Sequence, residues 1–405
     1  MTLGIVYHMP FWRGSDGTLR EIEGSFARYV DSLAPYFDEI SLCVPVLRHP
    51  SGEGTAIRSP NVSLAPLPAF DGPVQFYPRL ATVLPRLIRW GRHIDLLHCR
   101  VPSPAAVFAF AIARLLRRRA FLLVVGDLRA LLPSTPYRGV KRGLWRAYTE
   151  FEERNIQWMV NHALTFVNGS ALAAKHAGTR RAVVETTTTT ISEGDIASRA
   201  DTCTRPPVRA LSVSRIDPRK GLRVLPRAVR LLVDAGIDLS LDIVGPTVGR
   251  PGEDERAAIV DDACRLGVAD RVSLSGAVPL DRLLPMYANY DLFVLPTLPG
   301  EGIPRVLLEA MSRGLPIVTT RVAGISGLVT HEVNGLLVDQ PTTADAVASA
   351  MARLIGDARL RQGVIAKGYA TARTHTLEAQ AARMMEIVSS GLHVALRQPV
   401  ILPVG

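Results

Sequence analysis

The stretch Pro299-Gly300-Glu301-Gly302-Ile303-Pro304-Arg305-Val306-Leu307-Leu308-Glu309-Ala310-Met311-Ser312-Arg313-Gly314 follows an apolar run from Asp291 to Pro296. In that order it reads as a strand, a glycine- and proline-rich loop, and an apolar helix. A loop at the carboxyl end of a strand, feeding a helix N-terminus, is where open α/β sheets bind ligands. The free N–H groups of such a terminus suit an anion. Glu301 falls in the loop, and Glu309 sits about one turn into the helix, eight residues on. Carboxylates only accept hydrogen bonds, and a buried one is costly without donors. The pair therefore asks for hydroxyl or N–H groups on a ligand. A ligand with both anionic groups and many hydroxyls, such as a nucleotide sugar, satisfies loop and pair together. The plain alternative is one carboxylate favouring the helix dipole beside an ordinary surface glutamate.

On both sides of this stretch, strands alternate with helices. In the first half, strands are expected at 3–7, 39–46, 94–98, 120–125 and 163–167, with helices near 25–35, 76–90, 104–118 and 140–160. In the second half, strands are expected at 208–214, 239–244, 271–275, 291–296, 315–319 and 335–338. Helices near 221–235, 253–266, 280–288, 303–312 and 342–355 separate them, and a last one covers about 375–390. Short, nearly all-apolar strands in β-α alternation mean parallel sheets covered on both faces. Ile191 to Pro207, with Gly194, Ser198 and Pro206-Pro207, has the composition of a linker. The expected architecture is two doubly wound α/β domains, 1–200 and 201–375, followed by a closing helix and tail at 376–405. The cleft between two such domains is the default ligand site.

A chain of 405 residues, 47% hydrophobic and 21% charged, has ample core for two domains. Cys43, Cys99, Cys203 and Cys264 are scattered without C-x-x-C or zinc spacing, which points to a reducing compartment. The N-terminus enters a strand-like Leu3 to Tyr7 without the regions of a secretory signal, so a cytoplasmic protein is expected. The longest apolar stretch, Ala105 to Ala113, is too short to span a bilayer and reads as a buried helix. Residues 1–200 carry 24 Lys and Arg against 16 Asp and Glu, most of the net charge of +10. That surplus implies an anionic partner for the first half. Nucleic acid is the weakest choice, since no zinc-finger, RNA-recognition or helix-turn-helix signature accompanies it. Arg117-Arg118-Arg119 and the run Tyr137 to Arg146 mix cations with aromatic and apolar groups. Such a surface attracts anionic lipid at the inner face of a membrane, or is simply a solvated helix face.

Two more constellations bear on the ligand. In Ser214-Arg215-Ile216-Asp217-Pro218-Arg219-Lys220-Gly221, two cations five residues apart follow a strand end. Arg215 and Lys220 can converge on one anion, the first as a planar fork and the second as a point charge. A solvated basic turn is the alternative. The strand Leu241 to Val244 ends at Gly245, which allows close backbone approach to a flat or anionic group, or makes a simple turn.

Arg215…Lys220-Gly221, Val244-Gly245, Asp270-Arg271-Val272, Tyr290 to Pro296 and Glu301-x7-Glu309-Ala310-Met311 occur in that order. As a set they resemble the donor-binding domain of the retaining glycosyltransferases of family 4, which have the GT-B fold. The likeness runs from about 208 to 340. It implies that Arg215 and Lys220 hold the donor diphosphate and stabilise the charge that grows on it. By the same resemblance Glu309 accepts from ribose hydroxyls and Glu301 from the transferred sugar. Backbone N–H groups of Ile303, Arg305 and Val306 would face phosphate or sugar oxygens, with Gly302 and Pro304 lining the donor beside them, and the closing helix would return to the first domain. The family uses no catalytic metal or other cofactor, in keeping with the absence of any Asp-x-Asp.

The first half matches the family less well. Gly24 and Ser25, opening the first helix, are diphosphate neighbours in one reading and a serine cap in the other. Gly126-Asp127 stands where many members have a histidine. Asp127 is read as sugar-facing or acceptor-activating, or as a capping residue. His98 reads as a core histidine rather than a catalyst. The run Thr186 to Thr190 replaces the usual asparagine-glycine turn. The leading expectation is transfer of a sugar from a nucleoside-diphosphate donor to a hydroxyl acceptor: a cell-envelope glycan, a glycolipid or a secondary metabolite. The alternatives are a nucleotide-sugar-binding protein without transfer, and an epimerase or phosphorylase of the same fold. Thermal melts with UDP-, GDP-, ADP- and dTDP-sugars test the shared premise. A bound donor at a hundred times its Kd adds about 2.7 kcal/mol, so at least one of the four should raise Tm; no shift with any of them would remove the nucleotide-sugar reading.

Overall fold

The computed structural model describes residues 1–48, 54–70, 72–132, 137–299 and 303–399. The chain divides into two compact units, Met1–Thr188 with the chain from Leu377 onward, and Thr189–Thr376. The first break thus lies at Thr188, ahead of the expected residue 200.

The first unit is built on a seven-stranded parallel sheet. Its spatial order is Val183–Thr186, Leu164–Asn168, Arg119–Val124, Leu96–Val101, Thr2–Val6, Glu39–Pro45, Val62–Leu67. From the first strand the chain winds outward in one direction. It then returns to pair Leu96–Val101 against the other side of Thr2–Val6. That reversal is the topological switch point of a doubly wound sheet. Both outermost strands went unread in the sequence. Val62–Leu67 contains Pro66, which cannot donate to a ladder and so belongs on an edge. Val183–Thr186, at the other edge, has no fully buried residue and gives no apolar run. Phe11–Arg13, Leu19–Glu21 and Thr55–Ala56 add a small antiparallel sheet. The last helix, Leu377–Leu392, presents Leu377, Ala381, Met384, Met385 and Val388 at helical spacing. These residues join Leu3, Ile5 and Phe26 in the core of the first unit.

The second unit holds six parallel strands in the order Val272–Gly276, Leu239–Val244, Val208–Val213, Leu292–Leu295, Ile317–Thr320, Leu336–Val338. The winding reverses between Val208–Val213 and Leu292–Leu295, which pair directly. All six apolar runs of the second half became strands. The helix Ala358–Arg373 was not anticipated, because Arg359, Arg361, Gln362 and Lys367 mask its buried stripe of Val364, Gly368, Tyr369 and Ala372.

Residues read as a linker are fastened to the second unit. The Arg199 guanidinium donates to the carbonyls of Ala288 and Tyr290. Thr202 donates to the buried carboxylate of Asp291, and Arg361 pairs with Asp201 at 2.8 Å. Polar composition looked like exposure, but these side chains have buried counterparts far along the chain. Arg361 is itself only 2% exposed and also donates to the carbonyls of Leu354 and Ile355. Arg361→Ala is expected to cost about 3–5 kcal/mol, since it strands a partly buried carboxylate and two carbonyls. A urea titration reads the loss directly; an unchanged midpoint would refute the fastening role.

Candidate functional site

The carboxyl ends of Val208–Val213 and Leu292–Leu295 lie side by side at the switch point of the second unit. After the first of these strands the chain makes the turn Pro218–Lys220. Asp217 caps that turn by accepting from the Arg219 N–H, and it pairs with the Arg219 guanidinium at 2.6 Å. The hydrogen bonds from Arg219 hold the Asp217 carboxyl below its ordinary range despite its partial burial. Gly221 ends the turn at φ 64°, and a Cβ there would lie 2.1 Å from the Pro296 carbonyl oxygen. Only glycine permits both the backbone angle and the contact. The Leu298 N–H donates to the Arg219 carbonyl at 2.9 Å, and the Thr297 hydroxyl donates to the same oxygen at 3.2 Å. From the far side, the Thr320 hydroxyl donates to the Thr297 carbonyl. The two loops of the switch point are therefore stapled together.

This staple carries the predicted cations. Lys220 is buried at 8% exposure, whereas Arg215 is exposed and makes no hydrogen bond to any described residue. Behind them, Gly245 has φ 148°. A Cβ there would lie 1.9 Å from the Ser214 carbonyl oxygen, so its close approach is to the protein's own backbone. Its N–H donates to the Gly276 carbonyl.

The helix that opens the site runs from Arg305 to Ser312, with Pro304 at its N-cap and, among the described residues, no side chain capping it. Ile303, Pro304, Arg305 and Val306 are all half-buried at its start. Glu301 and Gly302, which the sequence reading placed in the same loop, lie outside the described residues. Glu309 is 3% exposed, and each of its oxygens already accepts a hydroxyl: Tyr287 at 2.8 Å on Oε2, and Thr190 on Oε1. Burial, then the Glu309 charge, push the Tyr287 hydroxyl far up, so it stays protonated and donates. The end of the threonine run thus acquires a physical account. Thr188, Thr189 and Thr190 are all buried, and the last of them is an internal partner of Glu309. A lone pair is left on each oxygen for a ligand hydroxyl.

In the first unit, Gly24 and Ser25 do begin a helix, Ser25–Leu33, but neither sequence reading describes how it is capped. No hydroxyl caps it. The carboxyl group of Glu21, fully buried and with its pKa pushed up by that burial, accepts from the N–H groups of Phe26 and Ala27. Asp127 caps the turn Arg129–Leu131 and pairs with Lys175 at 2.9 Å, while Lys175 also reaches Glu153 at 2.6 Å. Burial raises the Asp127 pKa, but the Lys175 hydrogen bond and charge outweigh it and leave the group below its ordinary range. An ionised, paired carboxylate of lowered pKa is a poor proton acceptor. His98 is a core residue: it stacks on Phe121, meets the Tyr29 hydroxyl at 3.0 Å, and burial lowers its pKa to about 3. Among the described residues, no three His, Cys, Asp or Glu side chains stand together as a metal ion would need. No helix among them is long and apolar enough to cross a membrane.

Known proteins match this part of the chain. The family model described as "Glycosyl transferases group 1" aligns with residues 207–357, which contain the staple, both cations and Glu309. The chain carries a group 1 glycosyltransferase domain. The Erwinia amylovora amylovoran biosynthesis glycosyltransferase AmsK is 35% identical over 153 residues, covering 36% of each chain. The Nocardia farcinica D-inositol 3-phosphate glycosyltransferase is 37% identical over 153 residues, covering 37% of this chain and 33% of that protein. The matched segment spans about a third of the length of these relatives. Solved structures match along nearly the whole chain. Anabaena HepE in complex with UDP and glucose covers 96% of this chain and 100% of its own, with a TM-score of 0.70 at 18% identity. The Thermosynechococcus elongatus sucrose-phosphate synthase covers 97% and 99%, also at 0.70, with 17% identity. The fold is GT-B, with two Rossmann-like units.

The staple makes a sharp demand on the glycosyltransferase domain. Gly221→Ala must move either the turn or the Pro296 loop, at an expected cost of about 1–3 kcal/mol. Denaturant titration measures it, and a variant as stable as the parent would show that the two loops are not held together at Gly221.

Proposed function

We propose that this protein is a retaining glycosyltransferase that takes a sugar from a nucleoside-diphosphate sugar and gives it to a hydroxyl acceptor, without a catalytic metal. The observation that carries the reading is the stapled switch point, which presents Arg215 and Lys220 at the carboxyl edge of the sheet in the group 1 domain. The uncapped start of the helix Arg305–Ser312 supplies N–H groups and a positive dipole for the same diphosphate. UDP, glucose and UDP-glucose in complexes of HepE support a nucleotide-sugar donor.

In the reaction the bond between the anomeric carbon and the diphosphate oxygen breaks, and the acceptor oxygen bonds to that carbon from the same face. The acceptor proton passes to the departing diphosphate. Arg215 and Lys220 stabilise the charge left there. This route needs no enzyme carboxylate as nucleophile, in keeping with Asp127 being occupied by Lys175. Glu309 holds the ribose with its second lone pairs, oriented by Thr190 and Tyr287. The first unit receives the acceptor. Its helix Gly139–Val160, with Val140 and Leu144 exposed beside Lys141, Arg142 and Arg146, meets an anionic membrane surface at the cytoplasmic face.

One observation favours a second reading, a nucleotide-sugar-binding protein without transfer: Asp127, read as acceptor-activating, is already paired with Lys175. Arg215→Ala separates the two. As a transferase the variant should lose on the order of 100-fold or more in kcat while keeping its Tm. Parent protein that binds a nucleotide sugar by calorimetry yet neither transfers nor hydrolyses it would establish the second reading. Retention of anomeric configuration in the product, read by NMR, is required by the first.

A further inference from the structure

Arg100 lies near the end of the strand Leu96–Val101, beside the switch point of the first unit. It is 7% exposed, and its guanidinium makes no hydrogen bond and no ion pair with any described residue. Its Nε is fully buried and without a partner. What surrounds it is aromatic: the guanidinium carbon lies 5.0 Å from the Tyr7 ring centroid, 5.4 Å from Phe26 and 5.1 Å from Tyr29. Aromatic faces attract a cation, but they do not replace the hydrogen bonds that water would give its five N–H groups. A cation so placed costs several kcal/mol unless an anion answers it.

The carboxylate ahead of the neighbouring helix does not answer it. Glu21 spends its oxygens on the N–H groups of Glu23, Phe26 and Ala27 and forms no ion pair with any described residue. Two more buried polar atoms at the same edge of the sheet lack partners. These are Nδ1 of His8, two residues past Thr2–Val6, and Oγ of Ser103, two residues past Leu96–Val101. Ser103 is 3% exposed. The helix Ala106–Leu115 starts three residues further on, with its positive end at this edge and no acidic residue in its first turn. A buried cation and an orphaned hydroxyl at a strand-end switch point describe a site lacking its anion.

We propose that Arg100, with Ser103, forms a binding site for a phosphoryl or carboxylate group on the acceptor. The inference rests on the transferase reading only in assigning the anion to the acceptor. Arg100 is then a specificity residue: its planar fork takes two oxygens of the anion, Ser103 donates a third hydrogen bond, and the rings exclude water around the pair. A neutral acceptor would leave the cation stranded and be rejected.

The test uses the full chain saturated with UDP, so that the diphosphate site is filled. Calorimetry with inorganic phosphate should show one further saturable site, and Arg100→Met should weaken it about tenfold or more, the least a charge-assisted hydrogen bond contributes. Acetate, titrated likewise, tells a carboxylate site from a phosphoryl one. Glucose 1-phosphate and dioctanoyl phosphatidic acid tell a soluble phosphate from a lipid-borne one. Arg100→Met should also melt at or above the parent temperature, because it replaces an unpaired buried charge by an apolar chain. Equal phosphate binding by parent and variant overturns the proposal, as does absence of binding by the parent or a large fall in Tm that reveals an internal partner. Should the variant not fold, phenylglyoxal labelling of Arg100 in the parent decides: slowing by phosphate supports the site, and an unchanged rate overturns it. UDP affinity should be equal in parent and variant. If the parent binds no nucleotide, the transferase reading fails, while phosphate binding lost in Arg100→Met still stands on its own.

Discussion

A backbone contact organises the switch point of the second unit. At Gly221 the chain passes so close to the Pro296 carbonyl that no side chain fits, and the carbonyl of Arg219 collects two hydrogen bonds from Thr297 and Leu298. The strands on either side, Val208–Val213 and Leu292–Leu295, belong to opposite arms of a doubly wound sheet. Their loops would diverge if nothing held them. Stapling them converts a divergence of the chain into a platform that presents Lys220 and, five residues earlier, Arg215. Thr320 extends the staple to the next strand, so three consecutive strand ends act as one piece.

The two units solve the problem of buried charge in different ways. In the second, carboxylates have internal donors: Glu309 has Tyr287 and Thr190, Asp242 has Ser273, Ser275 and Tyr290, and Asp291 has Arg209 and Thr202. Such networks are stable because every acceptor has its donor. In the first, Glu21 and Asp127 are likewise served by backbone N–H groups and, for Asp127, by Lys175. Arg100 is the exception, a buried cation faced by aromatic rings. A protein tolerates such a charge where binding returns what folding loses, which is why the position reads as a ligand site rather than as a packing accident.

Much of the architecture was visible along the chain. Apolar runs such as Ala120 to Val125 and Leu292-Phe293-Val294-Leu295 have no other stable home than a covered parallel sheet. The family likeness, carried by motifs in order, agreed with the group 1 domain at 207–357. What escaped were elements whose signal is diluted. The edge strand with Pro66 looks like a loop, and the helix Ala358–Arg373 hides its buried stripe among charges. The segment 191–207 looked like a linker, since composition counts polar groups and cannot see that Asp201 and Thr202 have buried partners.

By itself, then, the sequence determined the periodicity, the two-unit α/β fold and the presence of Arg215, Lys220 and Glu309 at strand ends and a helix start, because those depend on local spacing. Only the tertiary structure decided what each polar group faces. It set Gly245 against the Ser214 backbone, gave the N–H groups at the start of the helix Ser25–Leu33 the Glu21 side chain as acceptor, and gave Glu309 two internal hydroxyls. It also left Arg100 buried without a counter-charge among the described residues. The physical reason is that the cost of a buried charge is set by atoms within hydrogen-bond reach, and folding brings those atoms from distant parts of the chain, where no local pattern records them.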